Sequence, residues 1–146
     1  MDTLTPKQRS ERMSRVRSKD TKPELAVRRL IHGMGLRYRL HRRNLPGSPD
    51  LVFSSRRKVI LVHGCFWYRH LGCKLARIPK SRTEFWIAKL EGNRTRDIKN
   101  QSLLVGLGWE YLVVWECQVR DNKKLKQLIR GFLLGERKIL FDAEDD

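Results

Sequence analysis

PDLVFSSRRKVILVHG, residues 49 to 64, contains two apolar runs joined by a short polar turn. The runs DLVFS (50 to 54) and KVILVHG (58 to 64) are rich in β-branched and large apolar side chains. They predict a β-hairpin around the core that reverses at Ser55-Arg56. This reversal places Asp50 opposite residue 61 or 62, within the roughly 5 Å that separates cross-strand neighbours. The hairpin therefore brings an acid and His63 together at one end.

The segment before the hairpin predicts a helix and then a strand. TKPE, residues 21 to 24, fits a capping box with proline in the first turn, and apolar residues then recur at helical spacing. The helix is expected to end at Gly33 or Gly35. LRYRLH, residues 36 to 41, alternates apolar and basic side chains, as a strand with one exposed face does.

The segment after the hairpin predicts further helices around a long apolar strand. SRTE, residues 81 to 84, fits a second capping box, and we expect Gly92-Asn93 to interrupt the helix that it opens. WEYLVVW (109 to 115) predicts the strand, and apolar residues from 125 to 133 predict a final amphipathic helix. The order α-β-β-β-α-β-α indicates an α/β fold in which helices flank a mixed β-sheet.

The size and charge of the chain indicate one domain that binds a polyanion. Its 146 residues suit a single core, and 32 Lys and Arg against 16 Asp and Glu give a formal charge of +16. Nucleic acid is favoured over membrane, because no basic segment also carries a strong apolar face and no stretch predicts a spanning helix or a signal peptide. We therefore expect a cytoplasmic protein with a basic arm (residues 1–20), a main domain (21–135) and an acidic tail (136–146).

All three cysteines and one histidine form a candidate zinc site. Cys65, His70 and Cys73 are close in sequence, and Cys117 follows a strand that we expect beside residues 58 to 63 in the sheet. Three thiolates and one imidazole complete a tetrahedral Zn²⁺ site without an open position, so this zinc would be structural. The alternative is that the cysteines are ordinary buried residues.

Asp50 and His63 form a candidate catalytic pair. A carboxylate and a backbone carbonyl are hard oxygen ligands of the kind that Mg²⁺ binds, and water and phosphate oxygens complete the octahedron. A neutral imidazole at His63 can position or deprotonate a water molecule. The pair predicts a Mg²⁺-dependent phosphodiesterase. The alternatives are that Pro49-Asp50 only marks a turn and that His63 is a satisfied core histidine.

Several motifs together resemble one known family. PGSPDLVF (46 to 53), HGCFW (63 to 67), RTEFW (82 to 86) with Asp97 after it, and LGWEYLVVWEC (107 to 117) are similar to the very short patch repair (Vsr) endonucleases over roughly residues 8 to 135. The resemblance implies a PD-(D/E)xK restriction-endonuclease-like fold. It also implies an enzyme that nicks one DNA strand 5′ to the thymine of a T:G mismatch. We expect the protein to act as a monomer on DNA, associated with the nucleoid when bound, with mismatch-repair proteins as candidate partners.

The resemblance also implies roles for individual residues. Asp50 and the main-chain carbonyl of Val62 match the family's Mg²⁺ ligands, and His63 matches its catalytic histidine. Glu24 and Asp97 match acids that organise water around the metal or pair with the histidine. The family's structural zinc site matches the three cysteines and His70, in agreement with the interpretation from the residues alone.

DNA contacts are implied in the same way. Aromatic side chains of the family enter the base stack beside the mismatch, where unstacking costs less than in paired sequence. The matching positions are Phe66, Trp67 and Trp86 for the aromatic wedge, Lys89 and Asn93 for reading the mismatch, and Met13 and Val16 for the arm in the minor groove. The alternatives are that the aromatic residues fill the core and that Lys89 is a solvated helix charge.

Tyr68 departs from the family pattern, which has a second histidine after Phe-Trp. A phenol with an ordinary pKa near 10 donates a hydrogen bond to phosphate or water but does not shuttle protons at neutral pH. A zinc-stabilised mismatch or DNA-binding module with little or no cleavage is therefore an alternative to the nicking enzyme. A restriction-type nuclease that cuts both strands of matched DNA is a third possibility.

Overall fold

A computed structural model describes residues 20–68, 70 and 72–135. The predicted DNA contacts Met13 and Val16 lie outside these residues, as do nearly all of the basic arm and the whole acidic tail. The described chain has the predicted α/β architecture, a mixed four-stranded sheet with helices on both faces. Its helices are α1 (Lys22–Gly33), α2 (Thr83–Gly106) and α3 (Asn122–Leu134), and its strands are β1 (Arg39–Leu40), β2 (Leu51–Phe53), β3 (Lys58–His63) and β4 (Glu110–Trp115).

The predicted capping box begins α1. The Thr21 hydroxyl accepts a hydrogen bond from the Glu24 backbone N–H at 3.4 Å, and Glu24 Oε1 accepts one from the Thr21 backbone N–H at 3.2 Å. Both bonds satisfy backbone groups that would otherwise lack partners at the helix start. Glu24 is only 2% exposed, so the cap also fixes a buried carboxylate.

The sheet has the strand order β1-β2-β3-β4. β1 and β3 both pair antiparallel with β2, and β4 pairs parallel with β3 so that His63 lies beside Trp115. The predicted hairpin and the predicted neighbouring of residues 58–63 and 109–115 are both confirmed. Because β3 and β4 run in the same direction, the segments that leave them begin side by side.

Two apolar clusters hold helices on the two faces of the sheet. The larger joins α1 and α3 to one face through residues that include Val27, Ile60 and Ile129. The smaller joins α2 to the other face through residues that include Val59 and Leu104. Alternate residues of β3 thus enter opposite clusters, as the two-residue period of a strand requires.

The prediction for the start and continuity of α2 is wrong. The N-cap is Arg82, which has φ +55° and makes no side-chain cap, so the proposed 81 to 84 capping box does not form. Gly92-Asn93 lies inside one continuous helix of 24 residues. A mid-helix glycine costs about 0.5–1 kcal/mol relative to alanine. Full burial of Leu90 and Leu104 on either side of it offsets that cost.

Within the described ranges, no helix has both the length and the apolar character needed to span a lipid bilayer.

Candidate active site and metal centre

One cleft of about 1150 Å³ gathers most of the predicted site residues. It lies where β2 begins and β3 ends, with α1 and α2 on its sides. Its walls include Glu24, Asp50, Val62, His63, Trp67, Tyr68, Lys89, Asn93 and Asp97. Residues more than 70 positions apart in the sequence therefore face the same space.

Asp50 occupies the position that the hairpin predicted. The pairing of Leu51 with Ile60 sets Asp50 opposite Leu61, and Asp50 Oδ2 accepts a hydrogen bond from the Val62 backbone N–H at 2.7 Å. In an extended strand the N–H and C=O of one residue point to the same side. The Val62 carbonyl is thus expected on the side where Asp50 lies.

The environment of Asp50 disfavours its charged form. Burial raises the pKa of this carboxyl to about 8, the Val62 N–H opposes the rise, and the nearby Glu24 charge adds to it. An ionised Asp50 at neutral pH therefore needs a positive charge close by.

His63 is held on three sides at the end of β3. It is 4% exposed, and its Nε2 lies 3.2 Å from Asp97 Oδ1. The Tyr68 ring stacks on the imidazole at 4.0 Å and 10°, and the edge of Trp115 meets it at 5.3 Å and 78°. The Asp97 carboxylate favours the proton on Nε2, while Nδ1 is buried without a hydrogen-bond partner among the described residues.

His41 is a site residue that the sequence analysis missed. Its Nε2 lies 2.9 Å from Glu24 Oε2 and 3.8 Å from Asp50 Oδ1. The register of β1 with β2 places it there, because Leu40 pairs with Leu51 and the His41 N–H donates to the Asp50 carbonyl. The alternating pattern of residues 36 to 41 predicts a strand, and pairing that strand with β2 would have placed His41 beside Asp50.

The four predicted zinc ligands converge. Cys65 and Cys117 each follow a strand end by two residues, and the parallel pairing of β3 and β4 sets them side by side. His70 Nδ1 lies 3.5 Å from the Sγ atoms of both. Including Cys73, the four ligand atoms all lie within 4.8 Å of one another. Zn–S bonds of about 2.3 Å and Zn–N bonds of about 2.0 Å place tetrahedral ligands about 3.5–3.8 Å apart, so the residues fit Zn²⁺.

Trp115 connects this Cys₃His cluster to His63 of the candidate catalytic pair. Its ring stacks on His70 at 4.1 Å and 5°, while its edge faces His63. The Glu116 carboxylate accepts a hydrogen bond from the Cys65 backbone N–H at 3.2 Å. The segments after β3 and β4 are therefore tied together next to His63.

The predicted aromatic wedge is a surface cluster and not part of either apolar core. Phe66 lies 5.0 Å from Trp67 and 5.4 Å from Trp86 between ring centroids, and all three rings are half-buried. Phe85, which the sequence analysis did not select, packs on Trp86 at 5.2 Å and is 46% exposed. An apolar surface of this kind beside a cleft is typical of a binding site.

Lys89 and Asn93 lie on the face of α2 that borders the cleft. Asn93 Nδ2 donates a hydrogen bond to the Trp67 carbonyl at 3.1 Å, so this side chain holds the aromatic segment in place. Lys89 is exposed. Arg43 and Arg96 also line the cleft, which makes its rim basic.

Comparisons with known proteins identify the family. A family model described as DNA mismatch endonuclease Vsr matches residues 1–74. The chain is 49% identical over 132 residues to the Type II nicking enzyme V.XorIIP of Xanthomonas oryzae pv. oryzae, covering 90% of this chain and 96% of the relative. It is 44% identical over 117 residues to the DNA mismatch endonuclease Vsr of Escherichia coli (strain K12), covering 80% of this chain and 74% of that protein. The chain is therefore a DNA endonuclease that belongs to the Vsr family.

Proposed function

We propose that this protein nicks one strand of double-stranded DNA 5′ to the thymine of a T:G mismatch, by Mg²⁺-dependent hydrolysis of a phosphodiester. The observation that carries the proposal is the meeting of Asp50, the Val62 strand end and the His63–Asp97 pair in one basic cleft. A PD-(D/E)xK-type fold agrees with a mixed sheet whose hairpin presents the acid.

The Asp50 carboxylate and the Val62 carbonyl would hold Mg²⁺. Both are hard oxygen donors, and the raised pKa of Asp50 shows a carboxyl that a cation would stabilise in its charged form. When bound, Mg²⁺ polarises the phosphate and offsets the charge that develops on it. Arg43, Lys89 and Arg96 at the rim would attract and position the DNA backbone.

His63 would act as the general base. Oriented by Asp97, its imidazole would take a proton from the attacking water as the water oxygen bonds to phosphorus and the P–O bond to the leaving strand breaks. The Tyr68 and Trp115 rings hold the imidazole plane during this transfer. Glu24 would organise water on the opposite side of Asp50.

Tyr68 favours a second candidate function. Burial raises the pKa of its phenol, and the Asp97 and Asp50 charges raise it further. The hydroxyl therefore stays protonated at neutral pH and replaces an imidazole that would titrate there. A DNA-binding module with little cleavage is the function that remains if that second imidazole is indispensable.

Mismatch recognition would use the aromatic cluster. Phe66, Trp67 and Trp86 present apolar rings that stack on bases where the mismatched step opens, and Lys89 and Asn93 contact the exposed base edges. Met13 and Val16 on the basic arm would contact the minor groove. Zn²⁺ on Cys65, His70, Cys73 and Cys117 would hold this aromatic segment rigid, since four protein ligands close the site to substrate.

Strand-resolved cleavage of labelled duplexes tests the proposal. Each strand of a T:G and a matched T:A duplex carries a different dye, and wild type is compared in Mg²⁺ and in Ca²⁺. We expect one nick, in the thymine strand of the T:G duplex, in Mg²⁺ only. Tight T:G binding without any nick would select the binding module, and paired breaks in T:A DNA would select a restriction-type nuclease.

A further inference from the structure

Glu24, His41 and Asp50 bring three potential metal ligands together on the α1 side of the cleft. One ligand atom from each lies within 4.8 Å of the other two. Glu24 Oε2 and His41 Nε2 are 2.9 Å apart, and His41 Nε2 and Asp50 Oδ1 are 3.8 Å apart. Adjacent ligands of an octahedral cation with bonds of about 2.1 Å are about 3.0 Å apart, and opposed ligands about 4.2 Å. The separations therefore suit one shared cation.

The backbone fixes all three side chains before any cation binds. Glu24 is held by the α1 capping box through its other oxygen, Oε1. The His41 N–H donates to the Asp50 carbonyl at 3.3 Å, and Asp50 Oδ2 is occupied by the Val62 N–H. Glu24 Oε2 and Asp50 Oδ1 are thus the oxygens on the side of His41. A preorganised set of this kind loses little entropy on binding a metal.

The charge balance of the three groups also calls for a cation. Glu24 is fully buried by the fold, and the Asp50 side chain is only 18% exposed. Arg28 approaches Glu24 Oε2 at 3.5 Å, but its Nη2 makes a shorter contact of 2.7 Å with Asp20. Little positive charge therefore reaches the two carboxylates, and holding both in their ionised form requires a cation beside them.

We propose that His41 supplies a nitrogen ligand to a divalent cation held together with Glu24 and Asp50, and that this position prefers Mn²⁺ to Mg²⁺. A nitrogen ligand favours cations of the series from Mn²⁺ to Zn²⁺ over Mg²⁺, which takes oxygen ligands and retains its water, and Mn²⁺ is the member of that series that also suits carboxylate and water ligands. The inference rests on the proposed function, because Asp50 would be shared by two cation positions. Its Oδ1 would bind the cation beside His41, and its carboxylate would also bind Mg²⁺ beside the Val62 carbonyl. It adds a cation preference that the oxygen ligands alone would not produce.

Mn²⁺ binding to the full chain, carrying one Zn²⁺ per chain, freed of excess Zn²⁺ and without DNA, tests this directly. Mn²⁺ binds thiolates weakly, so it leaves the Cys₃His cluster alone. Electron paramagnetic resonance gives the free Mn²⁺, and spin-echo modulation detects a coordinated nitrogen. The informative variant is His41→Asn, because asparagine tolerates the left-handed backbone at φ +44°. The matched control is His32→Asn, an exposed histidine in the last turn of α1.

We expect wild type and His32→Asn to bind Mn²⁺ with nitrogen modulation. His41→Asn should lose the modulation and bind Mn²⁺ at least about tenfold more weakly, while its Mg²⁺ affinity, measured by competition, stays near wild type. A His41→Asn protein that retains both the modulation and the affinity overturns the proposal, and so does wild type without modulation. Thermal melts establish folding, and His41→Gln replaces His41→Asn if the latter is unfolded.

Nicking of the T:G duplex in Mg²⁺ separates this inference from the proposed function. Wild type that nicks but binds Mn²⁺ without nitrogen contradicts only the role of His41. Wild type that shows the nitrogen signal but never nicks contradicts only the proposed function.

Discussion

Replacing Tyr68 tests how the imidazole of His63 is held for the proposed proton transfer. The two rings stack face to face at 4.0 Å and 10°. An aromatic pair contributes about 0.5–1.5 kcal/mol beyond area burial, which corresponds to about a twofold to thirteenfold change in the population of correctly oriented His63. Tyr68→Ala should therefore slow single-turnover nicking of a T:G duplex by about that factor. Tyr68→Phe keeps the ring and should stay near the wild-type rate.

The assay uses protein in excess of DNA, so that changes in affinity do not enter the rate. A thermal melt of each variant shows that slower nicking is not due to unfolding. If Tyr68→Phe loses as much rate as Tyr68→Ala, the hydroxyl and not the ring is the important group, and the positioning role is wrong. Tyr68→His adds the second imidazole and should nick at least as fast as wild type.

Three further perturbations address the metals and the aromatic cluster. Cys117→Ala should lose the bound Zn²⁺, measured by atomic absorption, and should no longer unfold in a cooperative thermal transition. The reason is that a structural zinc site contributes folding free energy. A cooperative melt of the zinc-free variant would contradict this. In metal-free protein the folded state raises the pKa of Asp50 and so favours the protonated carboxyl. The contribution of Asp50 to the free energy of unfolding is therefore fully present below about pH 4 and is lost as pH rises towards about 8. Asp50→Asn should therefore be more stable than wild type at pH 8 and approach it at pH 4, and an equal difference in melting temperature at both pH values would refute the assignment. Trp67→Ala should weaken T:G binding by about 1–3 kcal/mol, as removal of one base stack does, with little change in the melting temperature; unchanged T:G affinity in a fluorescence anisotropy titration would exclude Trp67 from the wedge.

The hairpin and the ligand cluster could be predicted because their signals are local. Residues 50 to 63 form two apolar runs separated by a short polar turn, so the register that sets Asp50 near Val62 follows from the turn position. Cys65 and Cys117 follow apolar strands, and a β-α-β connection makes those strands parallel neighbours. Local pattern and topology were enough in both cases.

His41 and the start of α2 depend on tertiary contacts that no short motif records. β1 has only two residues, so the position of His41 beside Asp50 is set by its pairing with β2 and not by its own propensity. Arg82 begins α2 in a left-handed conformation, and its guanidinium lies over the Phe85 ring at 4.4 Å. The serine-to-glutamate spacing of residues 81 to 84 records neither feature.

The most direct test of the central claim is the single-turnover rate of nicking by wild type and Asp50→Asn in Mg²⁺. Glu110→Gln, at a 70% exposed side chain that lies at the opposite end of β4 from Trp115 and His63, is the matched control for loss of one carboxylate. We expect wild type and Glu110→Gln to nick the T:G duplex at equal rates, and Asp50→Asn to bind it without nicking. Nicking by Asp50→Asn at the wild-type rate would contradict the assignment of the cleft as the active site.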